Sequence, residues 1–128
     1  MRSVVVALAT AGSVALATPA AAQTAGDWHV AGQVATFAFT LDCRFRTDGS
    51  NLSGECRDAS TSDSKIKVGR IHPLTAGAVK GDRVSWTYQS SFLFSKFDVT
   101  FDGVQSGDRM SGTITVQGRK GAFTATRP

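Results

Sequence analysis

The chain has 128 residues, including 14 Lys or Arg, 10 Asp or Glu and 2 Cys. This length suits one small domain and excludes a two-domain enzyme. A hydrophobic fraction of 41% and a charged fraction of 19% are incompatible with a wholly disordered chain. Acidic and basic residues are interspersed, so we expect no nucleic-acid binding.

The beginning of the chain has the pattern of a secretory signal peptide. A positive start is followed by a mostly Val, Ala and Leu segment over residues 4–16, then Pro19 and the small residues 20–22 that cleavage requires. The alternative is a membrane anchor, but a spanning helix needs about 20 strongly apolar residues. We expect a signal peptide over 1–22, one domain over 23–128 with no membrane span, and a periplasmic or secreted location.

Export predicts the state of the two cysteines. Two Cys in a small exported domain most often form one disulfide, so we expect Cys43 to be bonded to Cys56. A metal site is a weaker alternative, because the sequence has no C-x-x-C and only His29 and His72 as nitrogen ligands. We therefore expect neither a metal nor another cofactor.

After the signal peptide, apolar and polar residues alternate with a period of two, which is typical of antiparallel strands with one dry and one wet face. The predicted strands are 27–34, 36–46, 51–58, 64–71, 75–80, 83–90, 95–104, 109–117 and 121–127. Pro73 leaves open whether 64–80 is one bent strand or two. Short turns and the need to remove exposed edges predict an all-β, up-and-down meander of eight or nine strands closed into a barrel.

Two hairpins can be placed in register. A turn at residues 49–50 puts Cys43 opposite Cys56 on the apolar face. The same register pairs opposite charges on the polar face, namely Asp42 with Arg57 and Arg44 with Glu55. A two-residue loop at Ser106-Gly107 predicts these opposite pairs: Phe97 and Val116, Val99 and Ile114, Phe101 and Gly112, Gly103 and Met110.

The predicted inner face is aliphatic and aromatic. Its members are Trp28, Val30, Val34, Phe37, Phe39, Leu41, Phe45, Leu52, Ile66, Val68, Val84, Trp86, Tyr88, Phe97, Val99, Phe101, Met110, Ile114, Val116 and Phe123. An eight-stranded barrel is either filled by its side chains or holds one small ligand, and the sequence leaves both outcomes open. Because Tyr88 is the main polar group of this face, we expect any ligand to be small and apolar, or to sit at the mouth.

One segment interrupts the alternation. Phe92-Leu93-Phe94 stands where a polar hairpin turn is expected. These residues either fold over the barrel end as a plug or form an exposed contact for a partner or a lid for an apolar ligand. The candidate ligand-binding residues are Trp28, Phe39, Trp86, Tyr88, Phe97, Phe92 and Phe94.

The sequence offers little for catalysis. We predict that His29 and His72 are surface residues and that the carboxylates face outward, so no acid–base pair is positioned. No common nucleophile, zinc or phosphate-loop motif is present. Lys65, Lys67 and Arg70 are interpreted as a solvated strand face. We expect binding rather than catalysis: a carrier for a small apolar ligand or, alternatively, a protein-binding module that uses Phe92-Leu93-Phe94.

Both ends of the predicted domain resemble those of lipocalin-like and avidin-like barrels. Gly26-Asp27-Trp28 opens it, and Gly121-Ala122-Phe123-Thr124-Ala125-Thr126-Arg127 closes it with an aromatic residue followed by Arg. In lipocalins a Trp of the first strand packs beside an Arg near the last strand. The resemblance therefore implies contact between Trp28 and Arg127 at a closed end. The polar biotin-binding residues of avidins have no counterparts, so biotin binding is not implied.

A second resemblance is to bacterial periplasmic inhibitors of secreted metalloproteases. These are also small eight-stranded barrels with an early Trp and one disulfide, and Trp28, Cys43 and Cys56 follow that order. This resemblance implies that a protease inhibitor is one form that the protein-binding alternative takes.

Overall fold

The structure is a computed structural model that describes residues 23–128. The predicted signal peptide, 1–22, lies outside the described residues. Eight antiparallel strands form a closed barrel in which each strand pairs with the next and the last pairs with the first, which confirms the predicted fold class. The strands are β1 (Gly26–Val34), β2 (Phe37–Asp48), β3 (Asn51–Thr61), β4 (Ile71–Lys80), β5 (Arg83–Phe92), β6 (Ser95–Ser106), β7 (Arg109–Val116) and β8 (Arg119–Thr126).

The β2–β3 hairpin has the predicted register. Cys43 is opposite Cys56, and the two are joined by a disulfide. The predicted opposite-charge partners also lie opposite each other. However, Asp42 and Arg44 of β2 make their close side-chain contacts with residues of β1, on the other side of β2. Arg44 Nε donates to Asp27 at 2.9 Å, and Asp42 lies 3.0 Å from the exposed His29. The register is therefore correct, although the close side-chain contacts of Asp42 and Arg44 form on the opposite edge of β2.

The predicted register of the β6–β7 hairpin is wrong by two residues. The turn residues are Gly107 and Asp108, not Ser106 and Gly107, because Gly107 takes the positive φ of 60° at the first turn position. The observed opposite pairs are Val99 and Val116, Phe101 and Ile114, Gly103 and Gly112, and Gln105 and Met110. A shift of two preserves which side chains face inward, so the predicted faces survive.

The predicted strand 64–71 is also wrong. Residues 62–70 form a loop, and β4 runs without interruption through Pro73. The loop returns to β3 through backbone bonds: Asp58 N–H donates to Arg70 O at 2.9 Å, and Gly69 N–H donates to Asp58 O at 2.7 Å. Consequently Val68, predicted to face inward, is 52% exposed.

Half of the barrel interior is filled. Trp86 stacks on Phe101 with 4.7 Å between ring centroids and also contacts Phe45 and Phe123. This half lies toward the end of the barrel that carries the turns at 49–50, 81–82 and 107–108, which we call the closed end. The opposite end carries the connections at 35–36, 62–70, 93–94 and 117–118, and we call it the mouth end.

The closed end is sealed by the segment that precedes β1. The guanidinium of Arg127 lies 4.3 Å from the centre of the Trp28 ring. Arg127 donates to the carbonyl oxygens of Gln23 and Ala25, and Trp28 Nε1 donates to Thr24 O at 2.8 Å. The contact between Trp28 and Arg127 implied by the lipocalin resemblance is therefore present.

Candidate functional site

A cavity of about 770 Å³ occupies the mouth half of the barrel. Its wall is mainly apolar, and the apolar lining residues are Val34, Phe37, Phe39, Ile66, Tyr88, Phe92, Leu93, Phe97, Val99 and Val116. The cavity opens between the mouth-end turns, so the interior is filled at one end and hollow at the other. The sequence left open whether side chains fill the barrel or leave room for a ligand; the closed-end half is filled and the mouth half leaves room.

Small residues and a bulge shape this cavity. The ring of Phe39 lies over Gly32, where an added Cβ would come within 2.7 Å of the ring. On β3, the register against β2 shifts so that Leu41 faces Asp58 while Phe39 faces Thr61. This bulge turns both Asp58 and Thr61 toward the cavity, where they supply polar atoms to an otherwise apolar wall.

A polar cluster adjoins the cavity. His72 is only 4% exposed, and its Nε2 lies 2.9 Å from Asp58 Oδ2. Its ring stacks on Tyr88 with 4.7 Å between centroids. Burial raises the pKa of Tyr88 above its ordinary value, and the nearby Asp58 carboxylate raises it further. The phenol is therefore neutral at physiological pH and can donate or accept a hydrogen bond.

Two predictions are corrected by this cluster. His72 was predicted to be a surface residue and is buried, and Asp58 belongs to the carboxylates predicted to face outward yet lines the cavity. The alternation contained the signal, because Asp58 has the parity of the inward Cys56 and His72 that of the half-buried Leu74. Polar residue type outweighed parity in the prediction.

The rim of the cavity is polar and basic. Arg70 donates to Ser91 O at 3.3 Å and to Ser91 Oγ at 3.0 Å, which ties the 62–70 loop to β5. Arg119, at the start of β8, also lines this cavity. Sequence reasoning did not assign either arginine to the site. Lys65, Lys67 and Arg70 belong to this loop and not to a strand face as predicted.

The structure separates the predicted ligand-binding residues into three groups. Phe39, Tyr88, Phe97 and Phe92 line the cavity. Trp28 and Trp86 are buried in the filled half and do not line it, and the indole N–H of Trp86 has no hydrogen-bond partner among the described residues. Phe94 lies outside the cavity at the β5–β6 turn.

The Phe92-Leu93-Phe94 turn does not fold over the barrel as a plug. Leu93 is 75% exposed and Phe94 is fully exposed, while Phe92 and Leu93 also touch the cavity. Of the two alternatives, the exposed one describes the structure. We call residues 92–94 the tip.

His29 is exposed beside Asp42 on the outer face. Within residues 23–128, no group of three or more His, Cys, Asp or Glu side chains is placed to hold a metal ion. No helix in the same range is long and apolar enough to cross a membrane.

No family model and no curated protein matches the chain. Solved structures with a similar fold include a redesigned beta barrel, mFAP1, bound to DFHBI, with a TM-score of 0.65 and 16% identity over 87% of this chain and 100% of that one. A de novo designed fluorescence-activating beta barrel is similar, with a TM-score of 0.61 and 16% identity over 88% of this chain and 100% of that one. At such identities the likeness shows the eight-stranded antiparallel barrel fold alone, and neither structure is a lipocalin or an avidin.

Proposed function

We propose that this domain is an exported, non-enzymatic binding protein that carries or senses a small apolar ligand. The observation that supports this most directly is the cavity of about 770 Å³ at the mouth end, a volume within the range of ordinary small-molecule sites, about 300–1,000 Å³. The similar barrels described as fluorescence-activating, or as bound to DFHBI, are compatible with the proposal.

The lining supports a mainly apolar ligand. Phe39, Phe97 and Val99 form apolar wall, and burying ligand surface against it contributes about 25 cal/mol per Å². The Asp58 carboxylate is already bonded to His72, which leaves the neutral Tyr88 phenol as a polar group suited to orienting the ligand.

The first test combines native mass spectrometry with a cavity-filling variant. Protein purified from its own host is expected to carry a bound species, and the empty protein is expected to bind an uncharged solvatochromic dye. Ser90 lines the cavity. In the variant Ser90→Trp the indole should occupy part of the cavity and weaken dye binding about tenfold or more. Ser111→Trp, on the outer surface of β7, is the matched control and should bind dye normally.

Two results would end this proposal. One is a clean mass for the unliganded protein together with no dye binding. The other is equal dye affinity in Ser90→Trp, Ser111→Trp and the unaltered protein, since that would place the dye outside the cavity.

The second candidate function is a protein-binding module, including a protease inhibitor. The exposed tip favours it, because contiguous exposed apolar residues often mark interaction sites. Replacing Phe92, Leu93 and Phe94 with Ser should abolish partner capture in a pull-down while the barrel stays folded. Capture of the same partners by the altered protein would show that the tip is not the contact.

Export is part of the proposal and has its own test. The disulfide between Cys43 and Cys56 supports it, since such bonds persist in oxidising compartments. The mass of the protein recovered from its host should correspond to a chain that starts at Gln23. A reduced, full-length chain in the cytoplasmic fraction would contradict export.

A further inference from the structure

The net positive charge of the described domain is concentrated at the mouth end. Within four residues of the four mouth-end connections there are six basic residues and three carboxylates, whereas the rest of residues 23–128 holds seven of each. The six are exposed and, among the described residues, none forms an ion pair. These six, which we call the basic rim, are Lys65, Lys67, Arg70, Lys96, Arg119 and Lys120.

Exposed apolar side chains are concentrated at the same end. Five of the six large hydrophobic residues exposed in the described chain lie there, and only Val104 lies elsewhere. The five are Val68, Ile71, Phe92, Leu93 and Phe94. These residues lie among those of the basic rim. Arg70 donates a hydrogen bond to Ser91, next to the tip, and Lys96 lies opposite the same Ser91 in the β5–β6 hairpin. Arg119 lines the cavity together with Leu93.

Leu93 and Phe94 are unfavourable residue types for the turn that they form. Leu93 and Phe94 have φ values of 49° and 73°, so both stand in the left-handed region that Asn and Gly tolerate and bulky residues disfavour. Their side chains also gain little from burial, because Leu93 is 75% exposed and Phe94 is fully exposed. Strain and exposure at the same two residues leave their apolar side chains available for a contact outside the barrel.

We propose that the mouth end docks on an anionic lipid bilayer. The tip enters the headgroup region, where aromatic and aliphatic side chains are stabilised, and the basic rim contacts lipid phosphates around it. A bilayer fits a rim of separate exposed charges from three segments of the chain, because a fluid surface needs no fixed complementary shape. In this orientation the cavity opens toward the lipid, although docking itself needs no ligand in the cavity.

Sedimentation with vesicles tests the proposal. The full domain is mixed with vesicles of phosphatidylcholine alone or of phosphatidylcholine containing phosphatidylglycerol. It should bind the anionic vesicles and leave the neutral ones largely free. Raising the salt from about 0.1 M to about 1 M shortens the screening length from about 10 Å to about 3 Å and should release most of the bound protein.

Tip variants separate docking from folding. Leu93→Asn with Phe94→Gly supplies the preferred residues of this turn, so the melting temperature should stay the same or rise while binding to anionic vesicles falls about tenfold or more. Phe94 does not line the cavity, so the single variant Phe94→Gly leaves the residues of the cavity wall unchanged. It should weaken vesicle binding and leave dye binding in solution unchanged, so failure of docking is distinguishable from failure of the proposed ligand-binding function.

Charge variants supply a control matched in net charge. Lys96→Gln with Lys120→Gln removes two charges at the mouth end and should weaken binding to anionic vesicles several-fold. Lys80→Gln with Arg83→Gln removes two exposed charges at the closed end and should bind like the unaltered protein. Equal effects of the two pairs, or no binding of the unaltered domain to anionic vesicles, would overturn membrane docking. If the unaltered domain does not bind anionic vesicles and the tip variants lose a protein partner in a pull-down, the tip is the contact for that partner instead.

Discussion

At the residue scale, His72 connects the filled core with the cavity. The imidazole is buried, bonds Asp58 at 2.9 Å and stacks on Tyr88. Its removal would leave a cavity and would also strip a poorly exposed carboxylate of its partner. Both effects reduce the free energy of unfolding, and they add to each other at this one position.

The first prediction compares the two histidines. His72→Ala should lower the free energy of unfolding by about 2–4 kcal/mol, the range for truncating a buried side chain that also satisfies a polar group. His29→Ala, whose partner Asp42 is exposed, should lower it by less than about 0.5 kcal/mol. Urea denaturation measures both values. Similar losses in the two variants would contradict the role assigned to the buried pair.

The second prediction uses the fact that Tyr88 is the only tyrosine of the chain. Ultraviolet absorbance therefore reports the ionisation of this one phenol. Because burial raises the pKa of Tyr88, the folded protein should titrate well above the value of about 10 found for free tyrosine, and the denatured protein close to it. A native midpoint near 10 would show that the ring is not buried as described.

The direction of the accompanying stability change follows from the raised pKa. The neutral phenol is favoured in the folded state, so its contribution is complete below about pH 10 and is lost as the pH rises toward the native pKa. Alkaline pH should therefore destabilise the protein. In Tyr88→Phe this component should be missing, which urea denaturation at neutral and alkaline pH measures.

Part of the site could be predicted at this scale and part could not. Phe39, Tyr88 and Phe97 were predicted to face inward and they line the cavity, because alternation identifies inward side chains in regular strands. Arg70 was not assigned to the site, because the alternation over 64–71 predicted a strand, whereas residues 62–70 form a loop whose position depends on backbone hydrogen bonds to Asp58. The signal for such a loop residue is tertiary.

At the scale of elements, the two hairpins show what determines register. The β2–β3 turn was predicted correctly because a disulfide and two opposite-charge pairs all required the same pairing. For β6–β7 only the turn residues were informative, and Ser106-Gly107 and Gly107-Asp108 are both acceptable turns. Side-chain parity is equal in the two registers, so apolar patterning could not discriminate between them.

The third prediction concerns the cross-linked hairpin. Cys43 and Cys56 close a loop with a sequence separation of 13, for which the chain-entropy model gives about 3 kcal/mol. Cys43→Ala with Cys56→Ala should lose about that much free energy of unfolding in urea. The unaltered protein in reductant should approach the same value, and reductant should not change the double variant. A reductant effect on the double variant would point to a different cause.

At the scale of the whole molecule, the barrel is built asymmetrically. Arg127 fastens the segment before β1 by packing on Trp28 and donating to Gln23 and Ala25. At the mouth end, Arg70 ties the 62–70 loop to β5 through Ser91, but the barrel interior behind this end is hollow. The closed end is therefore expected to be the more rigid of the two.

The fourth prediction compares arginines at the two ends of β8. Arg127→Ala should lower the free energy of unfolding by about 1–2 kcal/mol and should increase amide hydrogen exchange in residues 23–27. Arg119→Ala should change stability by less than about 0.5 kcal/mol, since it forms no ion pair among the described residues. Unchanged exchange at the segment before β1 in Arg127→Ala would contradict the fastening role.

The closed barrel could be predicted from alternation and short turns, but the hollow half could not. Whether an inner aromatic residue fills space depends on its neighbours across the sheet. Phe123 lies between Gly32 and Gly112 and packs into the filled half against Trp86, whereas Phe39 lies over Gly32 and leaves space above it. These arrangements depend on the registers of three strands, which the sequence specified only in part.

The even number of strands has a practical consequence. A meander of eight strands finishes at the same end of the barrel at which it began. Gly26 at the start of β1 and Thr126 at the end of β8 therefore both lie at the closed end, beside the turn at 107–108. A domain immobilised on a sensor chip through a tether after Pro128 would present its opening to the flowing solution. Dyes and vesicles injected over such a chip would reach the opening without steric hindrance from the support.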